Sequence, residues 1–244
     1  MDIVYTTQFT VTPDQTDRFG LCKPSGLLRF AQEAAGEHCL QLGTDWDSMA
    51  ARHYFWAVIR QRMEISRLPE EGETVTVKTW PMPTTRVAYP RATEGFDAAG
   101  NRLFQVISLW VIMDMDSRAM VLPGKSGIDV AGVRFGTELK APAGIPAGTF
   151  EQSHLRTVSP QDLDRNGHMN NARYLDWLCD LQDPAYEKTH PMKAVTICYM
   201  SEALEGQQLL LGYEKGDTFR MDGSLPGTDV SAGHTRIFSA IAEF

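Results

Sequence analysis

The chain carries a partial copy of itself, and this limits its architecture more than any local propensity does. Thr10 to Gly20, TVTPDQTDRFG, aligns without gaps on Thr157 to Gly167, TVSPQDLDRNG, at a constant offset of 147 residues. Val11 pairs with Val158, Pro13 with Pro160, Asp17 with Asp164, Arg18 with Arg165 and Gly20 with Gly167. The correspondence continues through Leu28 with Leu175 and Phe30 with Trp177. Two similar units in tandem are therefore expected. A length of 244 residues accommodates two small units, and 43% hydrophobic residues can supply a core to each.

In both copies an apolar pattern at spacings of three and four follows the shared stretch. Leu27, Phe30, Ala31, Ala34 and Ala35 in the first, and Tyr174, Trp177, Leu178 and Leu181 in the second, predict a helix in each. Pro24, and Asn170 or Asn171, are suitable starting residues. Beyond the helices the pattern becomes strand-like. Val75, Val77 and Thr79 alternate after a Pro-Glu-Glu-Gly turn, and Arg86 to Phe96 and Leu103 to Met113 flank a turn around Asp97 to Gly100, which predicts a hairpin. In the second copy AVTICYM, LLLGYE, DTFRMDG and HTRIFSAIAEF supply comparable strands, and Arg236-Ile-Phe238 faintly echoes Arg102-Leu-Phe104. The expected fold class is α+β, with two antiparallel sheets, each wrapping its own helix. Pro and Gly density between about Val121 and Phe150 marks a connection. The expected organisation is a first unit at 1–122, a connecting segment at 123–150 and a second unit at 151–244.

Bulk properties exclude several classes. No apolar run approaches a membrane span, and the opening MDIVYTTQFTVTPDQTD lacks the charged-then-apolar pattern of a secretory signal. Cys22, Cys39, Cys179 and Cys198 form no C-x-x-C pair and no framework spacing, so neither a metal site nor structural disulfides are expected. A reducing, cytoplasmic setting fits best. A formal net charge of −8 opposes broad binding to nucleic acid or anionic lipid. Nothing in the chain calls for a cofactor.

If one unit was copied from the other, fold requirements act on both alike, and the positions that differ are the informative ones. Gly167-His-Met-Asn170 faces Gly20-Leu-Cys-Lys23, and Asn166 faces Phe19. The polar set is confined to the second unit. Asp, Asn and Gly favour turns and Asn caps helices, so a plain turn accounts for much of DLDRNGHMNN. The excess polar groups directly ahead of a helix start point further, because free backbone N–H groups there can stabilise an oxyanion and histidine can act as acid, base or donor near neutral pH. Glu202 follows the strand from Ala194 to Met200 and is a second acidic candidate, although taken alone it reads as a solvated loop charge.

Several of these stretches together resemble the acyl-acyl carrier protein thioesterases, a tandem hot-dog family. LLRFAQEAAGEHCLQLG and FWAVIRQRMEISRLPEEGETVTVKTW resemble the family's first helix and strands, DRNGHMNNARYLDW resembles its Asp-x-Asn-x-His-x-Asn-Asn-x-x-Tyr signature, and YMSEA resembles its Tyr-x-x-Glu-Cys stretch. The resemblance implies thioester hydrolysis, with the catalytic set on Asp164, Asn166, His168 and Glu202. It implies acyl carrier protein bearing a fatty acyl group as partner, with the first unit holding the acyl chain near Phe30, Ala31, Ala34, Ala35 and Trp56, each equally explained as core. Ala203 stands where plant members often carry cysteine, so a Cys-His mechanism at that position is unavailable. Glu202, with or without His168, would activate water; Asp164 would either attack the acyl carbon or position the other groups. An acyl-coenzyme A thioesterase of the same fold, a non-catalytic acyl-binding module and a dehydratase are the rival readings. Oligomeric state, a homodimer included, is left open.

Overall fold

A computed structural model describes residues 3–134, 136, 139–226 and 236–244, and the chain divides into two compact units, Met1–Pro142 and Ala143–Phe244. Phe135, Thr137 and Glu138 of the predicted connection, and His234 and Thr235 of the last predicted strand, lie outside the described residues. Among the described residues no helix is long and apolar enough to cross a membrane.

In the first unit, strands β1 (Tyr5–Thr10), β2 (Tyr54–Ile65), β3 (Thr74–Pro81), β4 (Tyr89–Phe96) and β5 (Arg102–Asp114) form an antiparallel sheet in the order β1-β3-β4-β5-β2. The short β6 (Met120–Val121) adds to β5. Helix α1 (Pro24–Leu42) lays Leu27, Phe30, Ala31, Ala34, Ala35 and His38 along its buried face and packs against β1, β3 and β5. It starts with Pro24, whose missing N–H costs nothing there, and stops at Gly43, where φ is 64°. Helices α2 (Trp46–Ala50) and α3 (Pro123–Ser126) are short. Trp56 is half-buried against a cluster of Met49, Tyr89, Ile112 and Ile128, so part of the predicted connection packs into this unit. The strand predicted from Arg86 begins only at Tyr89, because the Thr85 hydroxyl accepts the Val87 and Ala88 amides in a turn.

The second unit repeats this plan with β7 (Gln152–Thr157), helices α4 (Arg173–Asp180) and α5 (Pro184–Thr189), β8 (Ala194–Tyr199), β9 (Gln208–Glu214), β10 (Thr218–Ser224) and β11 (Arg236–Glu243), its sheet running β8-β11-β10-β9-β7. Helix α4 starts at Arg173 with Ala172 at its cap, not at Asn170 or Asn171; Asn170 Oδ1 accepts the Ala172 amide at 2.9 Å and so closes the turn that precedes the helix. Tyr174 and Trp177 of α4 reach its sheet at Phe238 and Arg156.

Registers extend the internal repeat well beyond the aligned segment. Tyr5↔Thr79 through Thr10↔Thr74 is matched by Gln152↔Tyr213 through Thr157↔Gln208. The first strand of each pair is shifted by 147 residues and the second by 134. The 13 residues lost between them fall where α1 spans 19 residues and α4 only 8. The faint echo of Arg102-Leu-Phe104 in Arg236-Ile-Phe238 is real at the same shift of 134. In each unit the phenylalanine ring lies on a glycine of the neighbouring strand, Phe104 on Gly95 and Phe238 on Gly223, and a Cβ there would come within 2.0 and 2.1 Å of the ring. One contact has changed chemistry: Phe9 stacks on Phe30 with centroids 4.9 Å apart, whereas at the equivalent positions the Arg156 guanidinium sits 4.7 Å over Trp177 and donates to Asp180.

Candidate active site

The loop ahead of α4 is built by one carboxylate. Asp164 Oδ1 accepts the Asn166 amide at 2.8 Å and the His168 amide at 3.3 Å, while the Asp164 amide donates to the His168 carbonyl at 2.7 Å. Gly167 turns the chain with φ of 75°. The first unit holds the same loop in the same way: Asp17 Oδ1 accepts the Phe19 and Leu21 amides at 2.7 and 3.1 Å, and Gly20 has φ of 77°. Asp17 does this with no polar set around it. The carboxylate is thus sufficiently explained, in both units, by the loop it closes.

The other three predicted residues depart from the first unit. His168 Nε2 lies 3.3 Å from Glu202 Oε2, with their side chains 20% and 39% exposed. The Asn166 side-chain amide reaches Asp164 Oδ2 at 3.4 Å. The four predicted residues are therefore brought together in one loop pair, Asp164 to His168 facing Glu202. That pairing is fixed by the backbone, since the Met169 amide donates to the Ala203 carbonyl at 2.9 Å. Its counterpart is Cys22 donating to Pro69 at 2.8 Å, which equates Glu202 with the buried Leu68.

Of the backbone amides from His168 to Arg173, those of His168, Met169, Asn170, Ala172 and Arg173 donate to acceptors within the chain. The Asn171 amide is the one with no acceptor among the described residues, which narrows the expected oxyanion donor at the helix start to that group.

Tyr174, buried, and Tyr199, half-buried, complete the corner; both stand in stretches that carry the resemblance, without a role assigned to them there. The Tyr199 hydroxyl donates to the Asn171 carbonyl at 2.9 Å. Their rings meet edge to face at 5.3 Å. Burial pushes both phenols well up, and the Asp164 and Glu202 charges push Tyr174 further. The register equates Tyr174 with Leu27 and Tyr199 with Ile65, so a gapped comparison of the two copies is the signal that would have found them. No group of three or more His, Cys, Asp or Glu side chains among the described residues is placed to hold a metal ion.

Family models for the acyl-ACP thioesterase N-terminal and C-terminal domains match residues 2–122 and 148–230. An oleoyl-acyl carrier protein thioesterase of Coriandrum sativum is 26% identical over 195 residues, covering 72% of this chain and 53% of the relative. A dodecanoyl-[acyl-carrier-protein] hydrolase of Cinnamomum camphora is 28% identical over 193 residues, covering 72% and 50%. The chain thus spans about half the length of the curated relatives it matches. Among solved structures, an acyl-ACP thioesterase from Bacteroides thetaiotaomicron superimposes with a TM-score of 0.88 at 21% identity, over 99% of this chain and 97% of that one. The 12:0-ACP thioesterase from Umbellularia californica gives 0.80 at 21% identity, over 100% and 97%. The tandem hot-dog fold expected from the sequence is the fold observed.

Proposed function

Because this chain belongs to the acyl-ACP thioesterase family, we propose that it hydrolyses fatty acyl-acyl carrier protein to free fatty acid and carrier protein, the step that ends acyl-chain synthesis. The observation that carries the reading is the 3.3 Å approach of His168 Nε2 to Glu202 Oε2 in a loop pair whose counterpart is apolar. An acid–base pair of this kind suits activation of water beside a thioester carbonyl.

In this reading water is the nucleophile. Glu202, oriented by His168, takes its proton as the oxygen bonds to the acyl carbon. The Asn171 amide receives the developing oxyanion. The C–S bond then breaks and the carrier's thiolate leaves with the proton returned. Asp164 is a positioning group, since its Oδ1 is engaged by loop amides just as that of Asp17 is, and Asn166 ties its other oxygen to the loop. In this reading the acyl chain lies in the first unit along the α1 face bearing Phe30, Ala31, Ala34 and Ala35. A cytoplasmic setting accords with four free cysteines.

The test is thiol release from one saturated acyl group presented on acyl carrier protein and on coenzyme A, by the wild type and by Glu202→Ala. Faster release from the protein carrier, lost in the variant, supports the reading. Preference for the coenzyme A thioester would move the assignment to an acyl-coenzyme A hydrolase, and no release from either carrier across chain lengths would remove it.

A further inference from the structure

The first unit has a polar set of its own that the second lacks. On the sheet face that meets α1, the register aligns Arg91, Ser108 and Gln61 in one row across β4, β5 and β2, with Thr79 and Thr93 in the row beside it. All five are buried, as is His38 on the facing helix. With Gly95 and Phe104 matched to Gly223 and Phe238, the equivalent positions of the second unit hold Phe219, Ala242, Val195, Tyr213 and Met221. A fold satisfied by these residues in one copy does not require a buried charge in the other.

Arg91 is the centre of this set, and it is only 8% exposed. Its Nη1 donates to His38 Nδ1 at 3.2 Å and to the Thr79 hydroxyl oxygen at 3.3 Å, and its Nη2 donates to Cys39 Sγ at 3.8 Å. Among the described residues no carboxylate pairs with it. Burial pushes the guanidinium down from its ordinary value, and a buried charge without an opposite one is costly. Of its five N–H groups, the one on Nε and one on Nη2 have no acceptor among the described residues. Nε and Nη2 form one edge of the guanidinium, an edge that can grip both oxygens of a carboxylate.

The buried face of α1 runs from Phe30 through Ala31, Ala34 and Ala35 to His38, so an apolar stripe leads up to the guanidinium. We propose that the first unit binds an aliphatic carboxylate, its two oxygens on Nε and Nη2 of Arg91 and its chain along this stripe. Two sources share the chemistry: a free fatty acid entering head first, and an acyl chain that carries a second carboxyl at its far end. Both sources rest on the thioesterase reading, whereas binding can be measured without turnover. Calorimetric titration of the wild type and Arg91→Met with decanoate and with 1-decanol is the test. The wild type should bind the acid about tenfold to a hundredfold more tightly than the alcohol, the range for hydrogen bonds to a charged group, and the variant should bind both alike. Arg91→Met is expected to fold, because an apolar residue of similar size in place of a buried charge is often neutral and Phe219 fills the equivalent position. In the wild type itself, the Arg91 Nε–H resonance should shift on adding decanoate and stay in place with 1-decanol.

Equal affinity of the wild type for acid and alcohol overturns the proposal, as does an acid preference kept in Arg91→Met or an unmoved Nε–H resonance. Inhibition of thioester hydrolysis by decanoate that is relieved in the variant assigns the free acid. A wild-type preference for an ω-carboxyacyl thioester over the plain one of equal length, lost in the variant, assigns the substrate end. If the wild type hydrolyses no thioester, the activity reading fails, and the titration and the resonance still decide whether Arg91 holds a carboxylate.

Discussion

The two copies of the Asp loop allow the structural role of a candidate catalytic residue to be measured where there is no catalysis. Asp17 and Asp164 each accept two backbone amides, at 2.7 and 3.1 Å and at 2.8 and 3.3 Å. A hydrogen bond to an ionised group contributes about 1.5–3 kcal/mol and a neutral one about 1 kcal/mol. Substitution by asparagine keeps an oxygen acceptor and removes the charge. Each variant should therefore lose about 1–2 kcal/mol, and the general gain from relieving the net negative charge is the same for both. Urea unfolding followed by tryptophan fluorescence is suitable, since Trp46, Trp56, Trp80 and Trp110 report on the first unit and Trp177 on the second. Asp17→Asn should leave turnover within about twofold, and Asp164→Asn should lower it by about tenfold to a hundredfold, the range for a disturbed positioning group. A negligible stability cost at Asp164 beside a full cost at Asp17 would refute the equivalence of the loops. An acyl adduct on Asp164 in rapidly quenched wild-type enzyme would refute its assignment to positioning and make it the nucleophile.

Gly223→Ala should destabilise the chain by about 1–3 kcal/mol, because the new Cβ would fall within 2.1 Å of the Phe238 ring; Phe238→Leu in the same chain should recover part of that loss in a thermal melt. Arg67, bonded to Glu73 at 2.6 and 2.8 Å, holds the Glu73 carboxyl below its ordinary value. Its stabilising contribution is complete above the unfolded value near ~4.3 and is lost as pH falls through the lower folded one, so Glu73→Gln should flatten the acid limb of stability below about pH 4.

The first half of the repeat could be read directly because it contains no gap. Thr10 to Gly20 and Thr157 to Gly167 build the same turn, and both aspartates and both glycines of positive φ are explicit in the sequence. The alternating strands were readable for the usual reason, that one face of each is buried: Val75 and Val77 of β3 are buried while Thr74 and Lys78 are exposed. What the sequence concealed lies beyond the helices, of which α4 is eleven residues shorter than α1, 8 against 19. Past that gap the equivalence of Glu202 with Leu68, of Ala203 with Pro69 and of Tyr199 with Ile65 rests on backbone hydrogen bonds between segments distant in the chain. Taken alone, Glu202 therefore read as a surface charge and Tyr174 as one more apolar helix position, and only the resemblance singled out Glu202. The helix start was hidden similarly: Asn170 and Asn171 have the propensity of a cap, but Ala172 holds that place and the Asn170 side chain serves the turn before it.

The exchange of a Phe9–Phe30 stack for an Arg156–Trp177 pair also bears on how the chain avoids misassembly. Strands β1 and β7 pair with their neighbours in the same six-residue register, so backbone hydrogen bonding alone does not distinguish them. Tandem units of shared topology are prone to exchanging such strands while they fold. Placing β1 in the second unit would set Phe9 on Trp177 and take Arg156 away from Asp180; placing β7 in the first would put a guanidinium where an aromatic ring stacks. Two aromatic or cation–π contacts of about 0.5–1.5 kcal/mol each are at stake, at most a bias of about fivefold to 150-fold toward the correct partner. The substitution that distinguishes the two helices thus also acts as an address, directing each edge strand to its own sheet.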